Sequence, residues 1–119
     1  MNKDKLLTLI IKQPEAVEFD EVMQVISQHY DYTPSRFTNG KGEMMVVNEA
    51  GSNEGSCKIF AFALMNNLNP EQTLACFGRF YREDVLLHPI GTDHANIRNF
   101  MQYGWDGIDF SSTALIAKT

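Results

Sequence analysis

Apolar residues recur at helical spacing in two stretches near the start of the chain. The first stretch predicts an amphipathic helix over Lys3–Lys12, which must end before Pro14 because proline disfavours helical geometry in the residue that precedes it. The second stretch predicts a helix over Phe19–Tyr30, with acidic residues in its first turn and an inner face made of Phe19, Val22, Met23, Ile26 and Tyr30.

The segment that follows predicts little regular structure. Tyr32–Gly42 is rich in turn-forming residues and indicates one long loop. An Asn-Gly pair such as Asn39-Gly40 can mark a hairpin, but no alternating strand pattern precedes this one, so we do not predict a hairpin here. Met44–Val47 predicts at most a short extended segment.

Two further helix starts carry recognisable capping residues. Ser52 or Asn53 is positioned to cap a helix that runs to about Leu68. The run Asn69–Glu71 predicts a new start, because it places asparagine at the cap, proline at the first helical position and an acid in the first turn.

The last part of the helical pattern leads to a fold class. The helix after Asn69 runs toward Leu87, with a possible break at Gly78, and Asp93 is positioned to cap a final helix that stops at Gly104. The sum predicts a mainly α fold: a single compact domain over residues 1–119, with about five helices, one long loop and at most one short extended segment.

Composition narrows the classes of function. The chain has a formal net charge of −5 and no cluster of lysine or arginine, which disfavours binding to nucleic acid or to an anionic membrane. No apolar run approaches the roughly 20 residues of a membrane-spanning helix, and no signal peptide is recognisable. The expected compartment is therefore the cytoplasm, where the two cysteines would be reduced thiols. Nothing in the sequence indicates a cofactor.

Cys57 is the first candidate for chemistry. It follows a glycine-rich turn at the predicted start of a helix, where positive potential lowers the pKa of a thiol and exposes a thiolate nucleophile. His94 is the best candidate for its base, with Asp93 or Asn96 to orient the imidazole. The alternative is that Cys57 is a small buried residue in a packed turn, and the sequence favours this alternative.

The stretch "HPIGTDHANIR" contains two histidines and an aspartate. His88, Asp93 and His94 have a spacing that matches no established metal site, so we predict no metal there. A simpler interpretation makes Asp93 a helix cap and pairs Arg98 along the helix.

A ligand-binding surface is the other candidate site. The turn Gly51–Gly55 precedes a helix and could cradle an anion, while arginines could clamp a carboxylate or phosphate. Capping, ion pairing and core packing explain the same residues without a ligand. The candidate binding residues are Asn48, Gly51, Asn53, Gly55, Arg82, Asn96, Arg98 and Trp105.

Three ordered blocks resemble one known family. The blocks are "NEAGSNEGSCKIFAFA" (48–63), "TLACFGRFYREDVL" (73–86) and "TDHANIRNFMQYGWDGI" (92–108). They carry a similarity of the chain, over nearly its whole length, to the HopJ, or HopPmaJ, family of type III effectors. The resemblance implies delivery into a host cell, but implies no defined catalytic activity. Type III signals are usually flexible and serine-rich, whereas here a helix is predicted from Lys3 and the first serine is Ser27, so a resident cytoplasmic relative is the alternative.

These observations leave three classes of function. The chain resembles an effector that binds a protein partner, and the polar blocks suit a small anionic ligand equally well. A thiol-dependent hydrolase or transferase that uses Cys57 and His94 is the alternative, so enzyme activity stays open.

Overall fold

The computed structural model describes residues 1–118 of the 119-residue chain. Within that range, most of the chain is helical. The α-helices are α1 (Lys3–Lys12), α2 (Phe19–His29), α3 (Glu54–Met65), α4 (Pro70–Ala75) and α5 (Ala95–Tyr103). A π-helix (Phe80–Val85) lies between α4 and α5, and single 3-10 turns occur at Pro14–Ala16, Gly42–Met44 and Gly104–Gly107.

Two small antiparallel sheets complete the fold. Their strands are β1 (Tyr30–Tyr32), β2 (Phe37–Asn39), β3 (Val46–Asn48), β4 (Ile108–Phe110) and β5 (Leu115–Ala117). β1 pairs with β5, and β2 lies between β3 and β4. The chain is 55% helical and 13% strand, so it is an α/β mix and the prediction of a mainly α fold is wrong.

The strands escape sequence analysis because each is only three residues long, too short for an alternating pattern to appear. Their pairing also depends on distant parts of the chain: Phe37 lies opposite Phe110, and Tyr30 lies opposite Ala117. Asn39 is the last residue of β2, and Gly40 opens the connection from β2 to the antiparallel β3, so the argument against a hairpin is wrong as well.

Several helix boundaries follow the predictions. α1 has the predicted limits, and α2 ends one residue early because Tyr30 enters β1. Asn69 forms a capping box with Gln72, as its sequence context predicts. The break at Gly78 is confirmed: its φ is +59°, and a Cβ there would lie 2.8 Å from the backbone nitrogen of Phe19.

One predicted cap position is confirmed and the other is wrong. Asn53 is the N-cap of α3, but its side chain does not bond to the helix. His94, and not Asp93, is the N-cap of α5, and its side chain does not cap the helix either. The carboxylate of Asp93 instead accepts a hydrogen bond from Nη2 of Arg98 at 2.6 Å, which lowers the pKa of Asp93.

The core is built around Phe60 of α3, which is fully buried. Its ring packs against four other aromatic rings, with centroid separations of 5.0 to 6.2 Å, from Phe37, Phe77, Phe100 and Trp105. Trp105 also donates its indole N–H to the carbonyl of Leu68 at 3.1 Å. Among residues 1–118, every helix is too short or too polar to cross a bilayer.

Candidate functional site

A pocket of about 350 Å³ lies where the first turns of α3 and α5 approach each other. From α3 it takes Asn53, Gly55 and Ser56. From the start of α5 it takes the segment His94 to Ile97. The remaining lining is apolar and comes from Phe19, Val46, Phe77 and Phe80.

Both helices begin with a residue in the left-handed conformation. The φ angles are 50° at Asn53 and 53° at His94, and asparagine and histidine are among the non-glycine residues that adopt this region most readily. Since neither side chain caps its helix, the N–H groups of both first turns lack a capping acceptor. The pocket therefore faces two helix ends with positive partial charge.

A network of asparagine amides, all of them buried except Asn53, holds the two helix starts together. Asn48, at the end of β3, is its centre and is fully buried. Its Oδ1 accepts from Nδ2 of Asn53 at 2.7 Å and from Nδ2 of Asn96 at 2.8 Å, and its Nδ2 donates to Oδ1 of Asn96 at 3.1 Å. One side chain thus ties the N-cap of α3 to the first turn of α5.

Two more asparagines anchor this network to the three-stranded sheet. Nδ2 of Asn39 donates to the carbonyl and to Oδ1 of Asn96, at 2.8 and 3.1 Å. Nδ2 of Asn99 donates to the carbonyls of Asn39 and Met44, at 3.0 and 2.6 Å. Because buried amides are costly unless they are hydrogen-bonded, this set of bonds favours one arrangement of α5 on β2 and β3.

His94 forms part of the pocket wall, and its ring is positioned by contacts with Asp84 and Phe80. Its Nε2 lies 3.0 Å from Oδ2 of Asp84, and the carboxylate accepts a hydrogen bond from the N–H at that position. Its ring packs on Phe80 at 5.3 Å between centroids, and Phe80 packs edge-on against Phe19 at 5.1 Å. Asp84 and Phe80 both belong to the π-helix, a rare element that is frequent at functional sites.

Cys57 follows Ser56 directly but faces another part of the molecule. It is 1% exposed, and its thiol donates to the carbonyl of Ser35 with an Sγ–O distance of 3.6 Å. Burial raises the pKa of the Cys57 thiol, which favours the neutral form over a thiolate nucleophile. The hydrogen bond of Cys57 goes to Ser35, and that of His94 goes to Asp84. Neither bond joins Cys57, the predicted nucleophile, to His94, its predicted base.

The other predicted residues fall into two groups. The pocket is lined by Asn53, Gly55, His94 and Asn96. Asn48 does not line it but accepts hydrogen bonds from Asn53 and Asn96. Arg82, Arg98, Trp105, Gly51 and Asp93 do not line it. The donors of Arg98 go to Asp93 and to the carbonyl of His88, Arg82 lies 3.7 Å from Glu18, and Gly51 is exposed in the turn before α3.

Sequence reasoning missed Ser56, Phe80, Asp84 and Asn39. A phenylalanine at helical spacing ordinarily indicates a core residue, and an asparagine before glycine ordinarily indicates a turn, so neither Phe80 nor Asn39 carried a signal for a site. The signal for Ser56 was available, because it lies within the same first helical turn as Gly55.

We expect a serine at position 57 to test the role of the thiol. Cys57→Ser should lower the free energy of unfolding by about 1–2 kcal/mol, because it buries a hydroxyl in a space shaped for sulfur. Urea denaturation followed by circular dichroism measures the change. Cys76→Ser is the matched control, since Cys76 is also fully buried, which raises its pKa to about 12.

The thiol-enzyme hypothesis makes the opposite prediction for the same pair. If Cys57 were a nucleophile, Cys57→Ser would abolish activity at unchanged stability, whereas Cys76→Ser would not. A comparable loss of stability in both variants, with ligand binding retained in both, identifies two core cysteines.

Comparisons with known proteins identify a family and one similar structure. A family model described as HopJ type III effector protein matches residues 3–115. No curated protein matches the chain. The structure is similar to the crystal structure of the unknown function protein VPA0580, with a TM-score of 0.94, 56% sequence identity, and coverage of 99% of this chain and 95% of that one.

Proposed function

The chain belongs to the HopJ type III effector family, and from that premise we propose that it acts by binding a small ligand in the pocket between α3 and α5. Membership of this family implies secretion into host cells. The observation that supports the proposal is the convergence of two uncapped helix starts and His94 on one pocket.

The lining of the pocket indicates what kind of ligand would fit. The helix starts and Ser56 offer hydrogen bonds to an acceptor group, and positive partial charge at helix N-termini favours an anionic one. Phe19, Phe77 and Phe80 supply an apolar wall for a flat, apolar body. The ligand we propose therefore has an aromatic or similarly flat part that carries a carboxylate or phosphate.

The charges near the pocket limit the affinity. No lysine or arginine is among its lining residues, and Glu54 and Asp84 lie close to the two ends of the site. An anion would thus be held by backbone N–H groups without a full countercharge. We expect simple probes to bind with a dissociation constant on the order of 1 mM.

Phenyl phosphate is a suitable probe, with inorganic phosphate and benzyl alcohol to separate its two halves. Titration should shift the amide NMR signals of Gly55, Ser56, Ala95 and Asn96 together, and should raise the melting temperature by mass action. Phenyl phosphate should bind at least about tenfold more tightly than inorganic phosphate or benzyl alcohol, because only phenyl phosphate contacts both the helix starts and the apolar wall.

A substitution that fills the pocket provides the decisive comparison. Ser56→Trp should abolish the shifts caused by phenyl phosphate, since the indole would occupy the space between the two helix starts. Ser111→Trp is the matched control, because Ser111 is exposed and does not line the pocket. Shifts that persist in Ser56→Trp, or that map to other amides, would overturn the proposal.

A further inference from the structure

His94 has one ring nitrogen that is bonded to the protein and one that is not. Its Nε2 lies 3.0 Å from Oδ2 of Asp84, and the residue lines the ligand pocket. Across residues 1–118, its Nδ1 makes no hydrogen bond to the protein. When the imidazole is neutral and Nε2 carries the proton, Nδ1 is a hydrogen-bond acceptor. Neutral His94 therefore offers a lone pair, which the oxygens of an anion cannot use.

The same histidine decides the net charge at its end of the pocket. While His94 is neutral, the charge of its partner Asp84 is uncompensated, and protonated His94 would neutralise it. Asp93 lies 3.9 Å from Nε2, but its charge is already matched by Arg98 at 2.6 Å. Protonation thus removes a negative charge from the pair and turns Nδ1 from an acceptor into a donor. Both changes favour the binding of an anion.

The other charged groups on the surrounding elements keep their charges in mildly acidic solution. Beside the π-helix, Arg79 lies between Glu83 and Glu18, at 3.6 and 3.7 Å, and Arg82 lies 3.7 Å from Glu18. Glu54 opens α3. Carboxylates and guanidinium groups ordinarily change charge outside the range from about pH 5.5 to about pH 8, whereas histidine changes charge within it. His94 is therefore the group of the pocket wall that this range of pH addresses.

We propose that the protonation of His94 controls the binding of anions in the pocket between α3 and α5, so that mildly acidic conditions strengthen it. This inference rests on the proposed function, because it concerns the same pocket. Binding of the proton and binding of the anion are then coupled, and each strengthens the other by the same factor. The pocket releases its ligand more readily as the pH rises and His94 loses its proton.

Benzenesulfonate is the probe for this coupling. Its charge is constant over the range of pH, whereas a phosphate monoester takes up a proton near about pH 6. Its dissociation constant, measured from the amide NMR shifts of Gly55, Ser56 and Ala95, should fall at least about fivefold between about pH 8 and about pH 5.5. In the reverse experiment, saturating benzenesulfonate should move the midpoint of the His94 imidazole titration to higher pH, as the NMR signals of the ring report.

Three variants separate the effect of charge from a structural effect. His94→Asn removes the titrating group, and asparagine also accepts the left-handed φ of 53°, so the dissociation constant should become nearly independent of pH. Asp84→Asn removes the uncompensated charge and should tighten binding at about pH 8 at least about threefold, whereas loss of a merely structural contact would weaken it. His88→Asn is the matched control: His88 is exposed and does not line the pocket, so this variant should keep the wild-type pH dependence.

The outcomes distinguish a failure of this inference from a failure of the proposed function. Equal dissociation constants at the two pH values, a pH dependence that persists in His94→Asn, or weaker binding by Asp84→Asn at about pH 8 would each overturn control by His94. The pocket would still be a ligand site in those cases. If neither benzenesulfonate nor phenyl phosphate shifts the amide signals of Gly55, Ser56 and Ala95 at any pH, both proposals are wrong.

Discussion

Replacing Phe60 with alanine is expected to lower the free energy of unfolding by about 4 kcal/mol. The ring is fully buried and packs against Phe37, Phe77, Phe100 and Trp105, which come from a strand, a turn and a helix. Its removal takes away the burial of a large side chain and leaves a cavity that four rigid rings cannot close. Urea denaturation with an unchanged m-value would measure the loss.

Phe80→Ala is the matched control for this prediction. Phe80 also packs on two rings, those of Phe19 and His94, but it is 40% exposed and lies at the edge of the pocket. Its replacement should cost about 1 kcal/mol while it weakens binding of the aromatic probe. Equal losses of stability in both variants would show that Phe60 is not the centre of the core.

Replacing Asn48 with alanine is expected to lower the free energy of unfolding by about 3 kcal/mol. Asn48 makes three amide hydrogen bonds with Asn53 and Asn96, and all three would be lost at a site that water reaches poorly. The bonds also hold the start of α3 against the start of α5. Asn48→Ala should therefore weaken binding of phenyl phosphate at least about tenfold, because the two sets of N–H groups would no longer be fixed relative to each other.

Asn99→Ala separates the loss of stability from the loss of binding. Asn99 is buried and donates to two backbone carbonyls, so its replacement should cost a similar amount of stability. It does not bond to either helix start, and binding of the probe should be retained under conditions where both variants are folded. If both variants lose binding equally, the network around Asn48 has no special role in the pocket.

The sequence predicted the parts of this fold that depend on neighbouring residues. The limits of α1, the start at Asn69 and the break at Gly78 all follow from local signals of capping, proline and glycine. The sheets are completed by partners that are distant along the chain: β2 pairs with the nearby β3 but also with residue 110, and β1 pairs with residue 117. A three-residue strand carries too little local pattern to reveal such a partner.

The candidate site was predicted in part for a related reason. Asn53 and Gly55 were identified in the turn before a helix, and His94 and Asn96 as a base and its orienting group. All four line one pocket. Cys57 was predicted as a nucleophile because it follows a glycine-rich turn at the start of a helix. One residue along a helix turns the side chain by about 100°, and this rotation turns Cys57 from the pocket toward Ser35.

The burial of the asparagines carried no usable signal in the sequence. Asparagine is usually exposed, and a sequence without paired strands gives no reason to bury Asn39, Asn48 or Asn99. Their burial becomes understandable only when β2, β3 and α5 are placed in contact. Polar residues that join elements distant in sequence are the ones that a local interpretation assigns to turns.

The pairing of the strands has a consequence for the kinetics of folding. Both sheets need residues 108–117: β4 closes one and β5 closes the other. During synthesis, β2 can pair with β3 across a short connection, but the pairing of β2 with β4 and of β1 with β5 must wait for loop closures of about seventy to ninety residues. Native structure is therefore completed only after synthesis has passed residue 117, and until then the nascent chain keeps exposed strand edges that a chaperone can bind.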